Sequence, residues 1–323
     1  MKNYYYLSHA SDAWQNLATD EWLLDHLEED ELALYFYINQ NAVIIGRNQN
    51  PWKECNLAAM EADHVQLVRR VTGGGAVFHD AGNLNFSFIA GRKRYDADRQ
   101  FSMILQAIRL LGIPCEFSGR NDLLADGRKF SGNAFCQRGA IRQHHGTLLI
   151  RADMAKLQNY LQVDSRKLQA KGVSSVRSRV CNLSEFREDL TVPMVLSAMK
   201  QAFRKAYGDY TEWAPTAEDR EQIAAYYEKH SSWEWRMGQT PKFDIELDTR
   251  FDWGGVQLLL SLDEGRIAHA GVYSDAMDAE LPAQLRGLLE GLRFGSGPMA
   301  EALRFSENPQ IQDVARWIEK EGL

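Results

Sequence analysis

The sequence predicts an α+β protein, with a large mixed α/β domain over residues 1–240 and a small α+β unit over 241–323. Three observations predict it. "NLNFSFI" alternates cleanly, placing Leu84, Phe86 and Phe88 on one face and Asn83, Asn85 and Ser87 on the other. "FSMILQAIRLLG" instead carries Phe101, Ile104, Leu105, Ile108 and Leu111 on a helical stripe that stops at Gly112. After Trp235 the order changes to strands followed by helices, and "WEWRMGQTPKFD" marks the border with Gly238 and Pro241.

The elements follow in chain order. "SDAWQNLATDEWLLDHLEED" opens on cap-type Ser11 and Asp12, and Ala13, Leu17, Leu24 and Leu27 give it an amphipathic helical pattern. "ELALYFYIN" and "AVIIG" read as strands, and "LVRRV" as a short strand into three glycines. "NDLLADGRKFSGNAF" is a hairpin with Asp126-Gly127 as its two-residue turn. "HHGTLLI" is a further strand, and "VPMVLSAMKQAFRKAYG" a helix with Pro193 near its start and Gly208 at its end. In the small unit, "FDIELDTRFDW" and "GGVQLLLSLDEGRIAHAGVYSD" read as strands turning at "DEG". "AELPAQLRGLLEGLRF", "GPMAEALRF" and "IQDVARWIEKEG" read as helices.

Composition narrows the function classes. The chain has 323 residues, 45% apolar and 25% charged, enough for a sizeable core. A net charge of −7 argues against a general polyanion-binding surface, so no nucleic-acid partner is expected. No apolar run is long enough for a membrane span, and "MKNYYYLSHASDAW" lacks an apolar signal core. Cys55, Cys115, Cys136 and Cys181 are widely spaced without a CxxC, which suits reduced thiols in the cytoplasm.

Two stretches carry candidate chemistry. Gly73, Gly74 and Gly75 follow Arg69 and Arg70, and they fit either an anion-binding nest or a tight turn beside solvated arginines. The hairpin register pairs Leu124 with Lys129, Leu123 with Phe130 and Asp122 with Ser131. It thereby sets Lys129 diagonal to Asp122. That pair is either a positioned charge or a surface ion pair. His144 and His145 are adjacent on a strand and point to opposite faces, so they do not hold one metal together, and no metal site is expected.

Taken together, "RRVTGGGAVFHDAGNLNFSF", "GRNDLLADGRKFSGNAF", "HHGTLLI" and "KGVSSVRSRVCNLSEF" resemble the lipoate–protein ligase A family. So do "WEWRMGQTPKFD" and "FDWGGVQLLLSLDEGRI", and the likeness runs nearly end to end in the family's order. The resemblance implies a catalytic domain of the biotin/lipoate ligase type, followed by a C-terminal accessory domain. It implies that lipoate, or octanoate, and ATP with Mg²⁺ give lipoyl-AMP and pyrophosphate. The acyl group then passes to a lysine on lipoyl domains of 2-oxoacid dehydrogenase E2 subunits or on the glycine-cleavage H protein.

Carried over residue by residue, the resemblance makes Arg70, Thr72, Gly73, Gly74, Gly75, Ala76, Val77, Phe78 and His79 the lining of the lipoyl-adenylate pocket. Lys129 becomes the essential lysine, and Asn83, Asn121 and Asp122 the nucleotide-side polar residues. Thr72 stands where family members often carry serine, and the hydroxyl is kept. Leu17, Val43 and the glycine-loop backbone are candidate walls for the acyl tail. The basic stretch from Lys167 to Arg179 is a candidate docking surface for an acidic acceptor, and "WRMGQTPKFD" a candidate hinge. The rival chemistry is acyl transfer through a thioester on Cys136, and the rival class is a non-catalytic lipoate sensor. The GRGRxxR-type loop of biotin ligases is absent.

Overall fold

The computed structural model describes residues 2–119, 121–161, 180–237, 244–263 and 265–322. Its strands are β1 (Lys2–Leu7), β2 (Glu31–Tyr37), β3 (Ala42–Ile45), β4 (Gln66–Arg69), β5 (Val77–His79), β6 (Asn83–Gly91) and β7 (Glu116–Ser118). They continue as β8 (Asp122–Ala125), β9 (Arg128–Arg138), β10 (Ile141–Leu149), β11 (Thr211–Glu212), β12 (Ile245–Phe251), β13 (Gly254–Asp263) and β14 (Arg266–Ser274). Eight of them form one sheet in the order β11-β1-β2-β6-β10-β9-β8-β7. Its β11-β1-β2 edge is parallel, and the remaining pairs are antiparallel. A small sheet, β4-β3-β5, stands beside it.

Both faces of the large sheet are covered, which mixed sheets achieve when helices pack on each side. One face presents Leu84, Phe86 and Phe88 to Ile104, Ile108, Met199 and Phe203 from helices Ala97–Leu110 and Val192–Tyr207. The opposite face carries Asn83, Asn85 and Ser87, and these polar residues are buried too, because the small sheet and helix Ala13–His26 lie over that side. Alternation here separates an apolar core from a polar interior, not core from solvent.

Helix Ala13–His26 begins as the sequence predicts, with the Asp12 carboxylate accepting from the Trp14 and Gln15 amides. Its expected amphipathic character does not hold. Asn16 through Leu24 are all buried, because helix Ala217–Ser231 covers the polar side. The sequence reading left that second helix unassigned. Its signal was a capping box in which Thr216 and Asp219 exchange side-chain and backbone hydrogen bonds.

The hairpin register also needs one correction. Leu124 pairs with Lys129 and Ala125 with Arg128, as expected, but Leu123 pairs with Ser131 and Asp122 with Gly132. A bulge at Phe130 adds one residue to β9 and shifts the pairing beyond it. Phe130 is thereby sunk fully into the core.

The C-terminal residues build a second core. Strands β12-β13-β14 pack Leu258, Leu260 and Val272 against Leu285, Leu303 and Val314 of helices Leu281–Leu289, Ser296–Arg304 and Pro309–Glu321. This unit touches the large one beside the glycine turn. The Ser274 amide donates to Asn48 O at 2.8 Å, and the Gly74 amide to Ala276 O at 2.9 Å. Gly238–Pro241, the centre of the expected border and hinge, lies outside the described residues, as does the basic stretch from Lys167 to Arg179. No helix among the described residues is long and apolar enough to cross a membrane.

Candidate active site

Between the polar face of the large sheet, the small sheet and helix Ala13–His26 lies a cavity of about 190 Å³. Leu17, Tyr37, Ile44, Val77 and Ala134 give it apolar wall; Arg70, His79, Asn85, Asn121, Lys129, Asn133, His145 and Thr147 give it polar wall.

The glycine turn is held from beneath by Arg70. Its guanidinium donates to Gly73 O at 2.7 Å, Gly75 O at 2.8 Å and Ile44 O at 3.2 Å, and to Thr72 Oγ1 at 3.0 Å. These acceptors are all uncharged. Burial pushes the guanidinium down to about 10, with Tyr37 opposing. A buried cation that meets only neutral dipoles among the described residues leaves net positive potential in the cavity wall, which favours an anion there. Arg69, on the other side of the strand, binds Gly46 O, Arg47 O, Gln49 O and the carbonyls of Trp235 and Arg236, and so ties the neighbouring loop down.

Gly74 takes φ +91°, a left-handed conformation that glycine adopts without penalty. The turn packs so closely that a Cβ on Gly46 would meet Gly74 O at 2.1 Å. The Gly74 amide is already used by Ala276 O, so one donor of the expected nest faces the small unit. Met277 continues from there into the cavity wall, with its sulfur 3.7 Å from the Asn121 amide nitrogen.

Lys129 reaches the cavity from β9, and its ammonium lies 2.6 Å from Asp122 Oδ1, at an angle outside hydrogen-bonding geometry. Both side chains are about one-third exposed, so the pair is open to solvent and to a ligand. Asn121 and Asn133 bracket it by exchanging hydrogen bonds with each other's backbone carbonyls at 3.0 Å.

At the apolar end, Thr72, His145 and Asp20 form a chain. Thr72 Oγ1 accepts from Arg70 and lies 2.8 Å from His145 Nε2, while His145 Nδ1 faces Asp20 Oδ2 at 3.3 Å. His144 points the other way, into a box of Phe86, Phe88, Phe101 and Phe135. Burial pushes it down to about 3, so it is a neutral core histidine.

Of the residues carried over from the resemblance, Arg70, Gly74, Gly75, Ala76, Val77, His79, Asn121 and Lys129 stand on the cavity wall. Thr72, Gly73, Phe78, Asn83 and Asp122 do not reach it. Thr72 is fully buried behind Arg70, and Gly73 backs onto Ala276. Phe78 faces a separate core with Val43 and Tyr160, so Val43 is off the cavity wall and Ile44 lines it instead. Asn85, named in the sequence as a polar group on the face beyond the glycine turn, also lines the cavity. The sequence reading missed Tyr37, Asn133, Ala134 and Met277, and nothing local marks Met277.

Comparison with known proteins decides the family. A family model described as the lipoyl protein ligase A/B catalytic domain matches residues 12–204, and one for the bacterial lipoate protein ligase C-terminus matches 240–321. A curated "Lipoate-protein ligase A" from Psychrobacter cryohalolentis is 40% identical over 98% of both chains. The chain belongs to the lipoate–protein ligase A family.

Solved structures of ligases match the fold, one of them over nearly the whole chain. P. falciparum LipL1 in complex with lipoate matches with TM-score 0.87 and 27% identity, over 98% of this chain and 99% of that one. An archaeal bipartite lipoate protein ligase with its E2 lipoyl domain, from Thermoplasma acidophilum, gives 0.68 and 28%, over 76% and 100%. A lipoate-protein ligase A bound with ATP gives 0.65 and 28%, over 74% and 99%. Within this ligase fold Cys136 is no nucleophile. Burial pushes its thiol up to about 12, its sulfur is engaged with Gln143 Oε1 at 3.3 Å, and it is off the cavity wall.

Proposed function

We propose that this cavity carries both halves of the ligase reaction. The chain is a lipoate–protein ligase: it activates lipoate with ATP and transfers the acyl group to protein. The single observation that supports placing the chemistry here is the arrangement of one cavity. It has an apolar end at Leu17, Tyr37, Ile44 and Ala134, and cations at Arg70 and Lys129.

In this reading the acyl tail lies against the apolar end, and its carboxylate meets the α-phosphate between Arg70 and Lys129. A carboxylate oxygen attacks the α-phosphorus, the bond to the β-phosphate oxygen breaks, and pyrophosphate leaves. Two anions that repel in water are brought together by fixed positive charge, which acts most strongly as charge concentrates in the transition state. The acceptor lysine amine then attacks the acyl carbon, the bond to AMP breaks, and the amine loses one proton. Gly74, Gly75, Ala76, Val77, His79 and Asn121 contact the adenylate from the wall, while Thr72, Gly73, Phe78, Asn83 and Asp122 support it from behind. Each buried CH₂ of the tail contributes about 0.8 kcal/mol, so octanoate serves nearly as well as lipoate.

Mg²⁺ enters on the phosphates of ATP, with few protein ligands. Residues 1–240 hold the chemistry and 241–323 serve as the accessory unit. The acceptors are lipoyl domains of 2-oxoacid dehydrogenase E2 subunits and the glycine-cleavage H protein, met in the cytoplasm.

Lipoate-dependent exchange between ATP and pyrophosphate, without acceptor, tests the adenylating half. Wild type should exchange, and Lys129→Ala should lose on the order of 10²–10³ in rate. Well-folded wild type that does not exchange would return the site to the non-catalytic sensor reading.

A further inference from the structure

His79 sits in the cavity wall at 4% exposure, and its two ring nitrogens are not alike. Nδ1 lies 3.1 Å from Asn39 Nδ2, whereas Nε2 is buried with no hydrogen-bond partner among the described residues. Burial, with Arg70 and His145 adding to it, pushes the imidazole down to about 3, so the ring is neutral and carries one proton.

A chain of amides fixes where that proton is. The Asn16 side chain has its nitrogen toward Ala10 O at 3.0 Å and Ile38 O at 3.4 Å. Turning it over would set oxygen against two carbonyls. The same nitrogen donates to Asn39 Oδ1 at 2.9 Å, while Asn16 Oδ1 accepts from Ser8 and Tyr35 hydroxyls. Asn39 must therefore show its own nitrogen to His79 Nδ1. That nitrogen can only donate, so Nδ1 accepts and the proton resides on Nε2. Asn16 and Asn39 are both fully buried, and the main-chain oxygens that start the chain cannot rearrange.

We propose that Asn16 and Asn39 are positioning residues that hold His79 as a preset Nε2–H donor to an oxygen of the bound acyl-adenylate. The proposal rests on the adenylating role of the cavity. A buried N–H without a partner is costly unless something fills it, and a bound anionic oxygen does so. A neutral imidazole adds a donor beside Arg70 without offering an acidic proton to the mixed anhydride. Because the tautomer is set before substrate arrives, no reorganisation is needed at the moment of reaction.

Long-range ¹H–¹⁵N correlation on ¹⁵N-histidine protein, with His79→Gln used for assignment, reads the tautomer directly. The free wild type should show His79 as the pure Nε2–H form, and a non-hydrolysable lipoyl-adenylate mimic should shift that proton downfield. Asn39→Ala should give a mixed tautomer and lower the exchange kcat by about tenfold with KM for ATP little changed. His79→Gln, whose amide nitrogen reaches the Nε2 position, should keep more exchange than His79→Asn. An Nδ1–H form in wild type, or an Nε2–H unmoved by the mimic, overturns the relay. The apo spectrum is independent of turnover, so wild type that fails to exchange overturns the adenylation reading separately.

Discussion

Lys129 lies across Gly132: a Cβ added to Gly132 would meet the Lys129 Cε and Nζ atoms at 3.0 Å. The bulge at Phe130 creates this relation, because it moves Gly132 opposite Asp122 and leaves open backbone beneath the ammonium. The Lys129 cation is thus aimed by a missing side chain as well as by the Asp122 carboxylate.

Gly132→Ala should therefore displace the lysine tip without harming the fold. Exchange of ATP with pyrophosphate should fall on the order of 10- to 100-fold, as displacements of about 1 Å commonly cost. The thermal midpoint should stay within about 2 °C. Unchanged exchange would show that the lysine position is not set by this contact.

Asp122→Asn removes the charge but keeps the shape. The pair is partly exposed, so stability should change by under about 1 kcal/mol. If Asp122 orients Lys129, kcat for exchange should drop several-fold and KM for lipoate should hardly move. Loss of acceptor transfer with normal exchange would instead identify Asp122 as a base for the second step.

Ala134 is 7% exposed in the cavity wall. Ala134→Leu should fill the space assigned to the acyl tail. Overpacking of this kind costs about 1–3 kcal/mol, which corresponds to a roughly 5- to 150-fold rise in KM for lipoate. Steady-state exchange at saturating ATP measures it, and an unaltered KM would move the tail elsewhere.

Glu21 is buried at 3% exposure, where Lys229 binds it at 2.7 Å, His230 at 2.8 Å and Arg138 at 3.0 Å. Burial alone would raise its carboxyl, but the hydrogen bonds from His230 and Lys229 outweigh burial and bring it down to about 2. The folded value lies below the unfolded one, so this stabilisation is present above about pH 4.5 and is lost as pH falls toward 2. Urea unfolding should show wild type more stable than Glu21→Gln by a few kcal/mol at pH 7, with the gap closing below pH 4. A gap that is the same at pH 7 and pH 3 would contradict the assignment.

Gly73→Ala places a Cβ 2.5 Å from Ala276 O and 2.8 Å from Met277 O, both backbone atoms that cannot swing aside. The segment around Ala276 should be pushed off the glycine turn, breaking the Gly74–Ala276 hydrogen bond. Hydrogen exchange at Gly74 should accelerate at least about tenfold. Unchanged protection there would mean that the two units accommodate the methyl by moving together.

The sequence determined much by itself. The periodicities of residues 83–89 and 101–111, the Asp126-Gly127 turn and the caps at Asp12 and Gly208 are local effects, and the chain folds as they specify. The glycine turn and Lys129 were legible because long, specific motifs surround them. Only tertiary structure decided the rest. The bulge at Phe130 answers to a core pocket, not to the turn that precedes it. Burial of Glu21 depends on a helix far along the chain, whose Lys229 and His230 bind it, and the place of Met277 on a separate core that brings it to the cavity. Such features arise where distant surfaces compete for the same space and the same hydrogen-bond partners, and that competition is settled only once the chain has closed on itself.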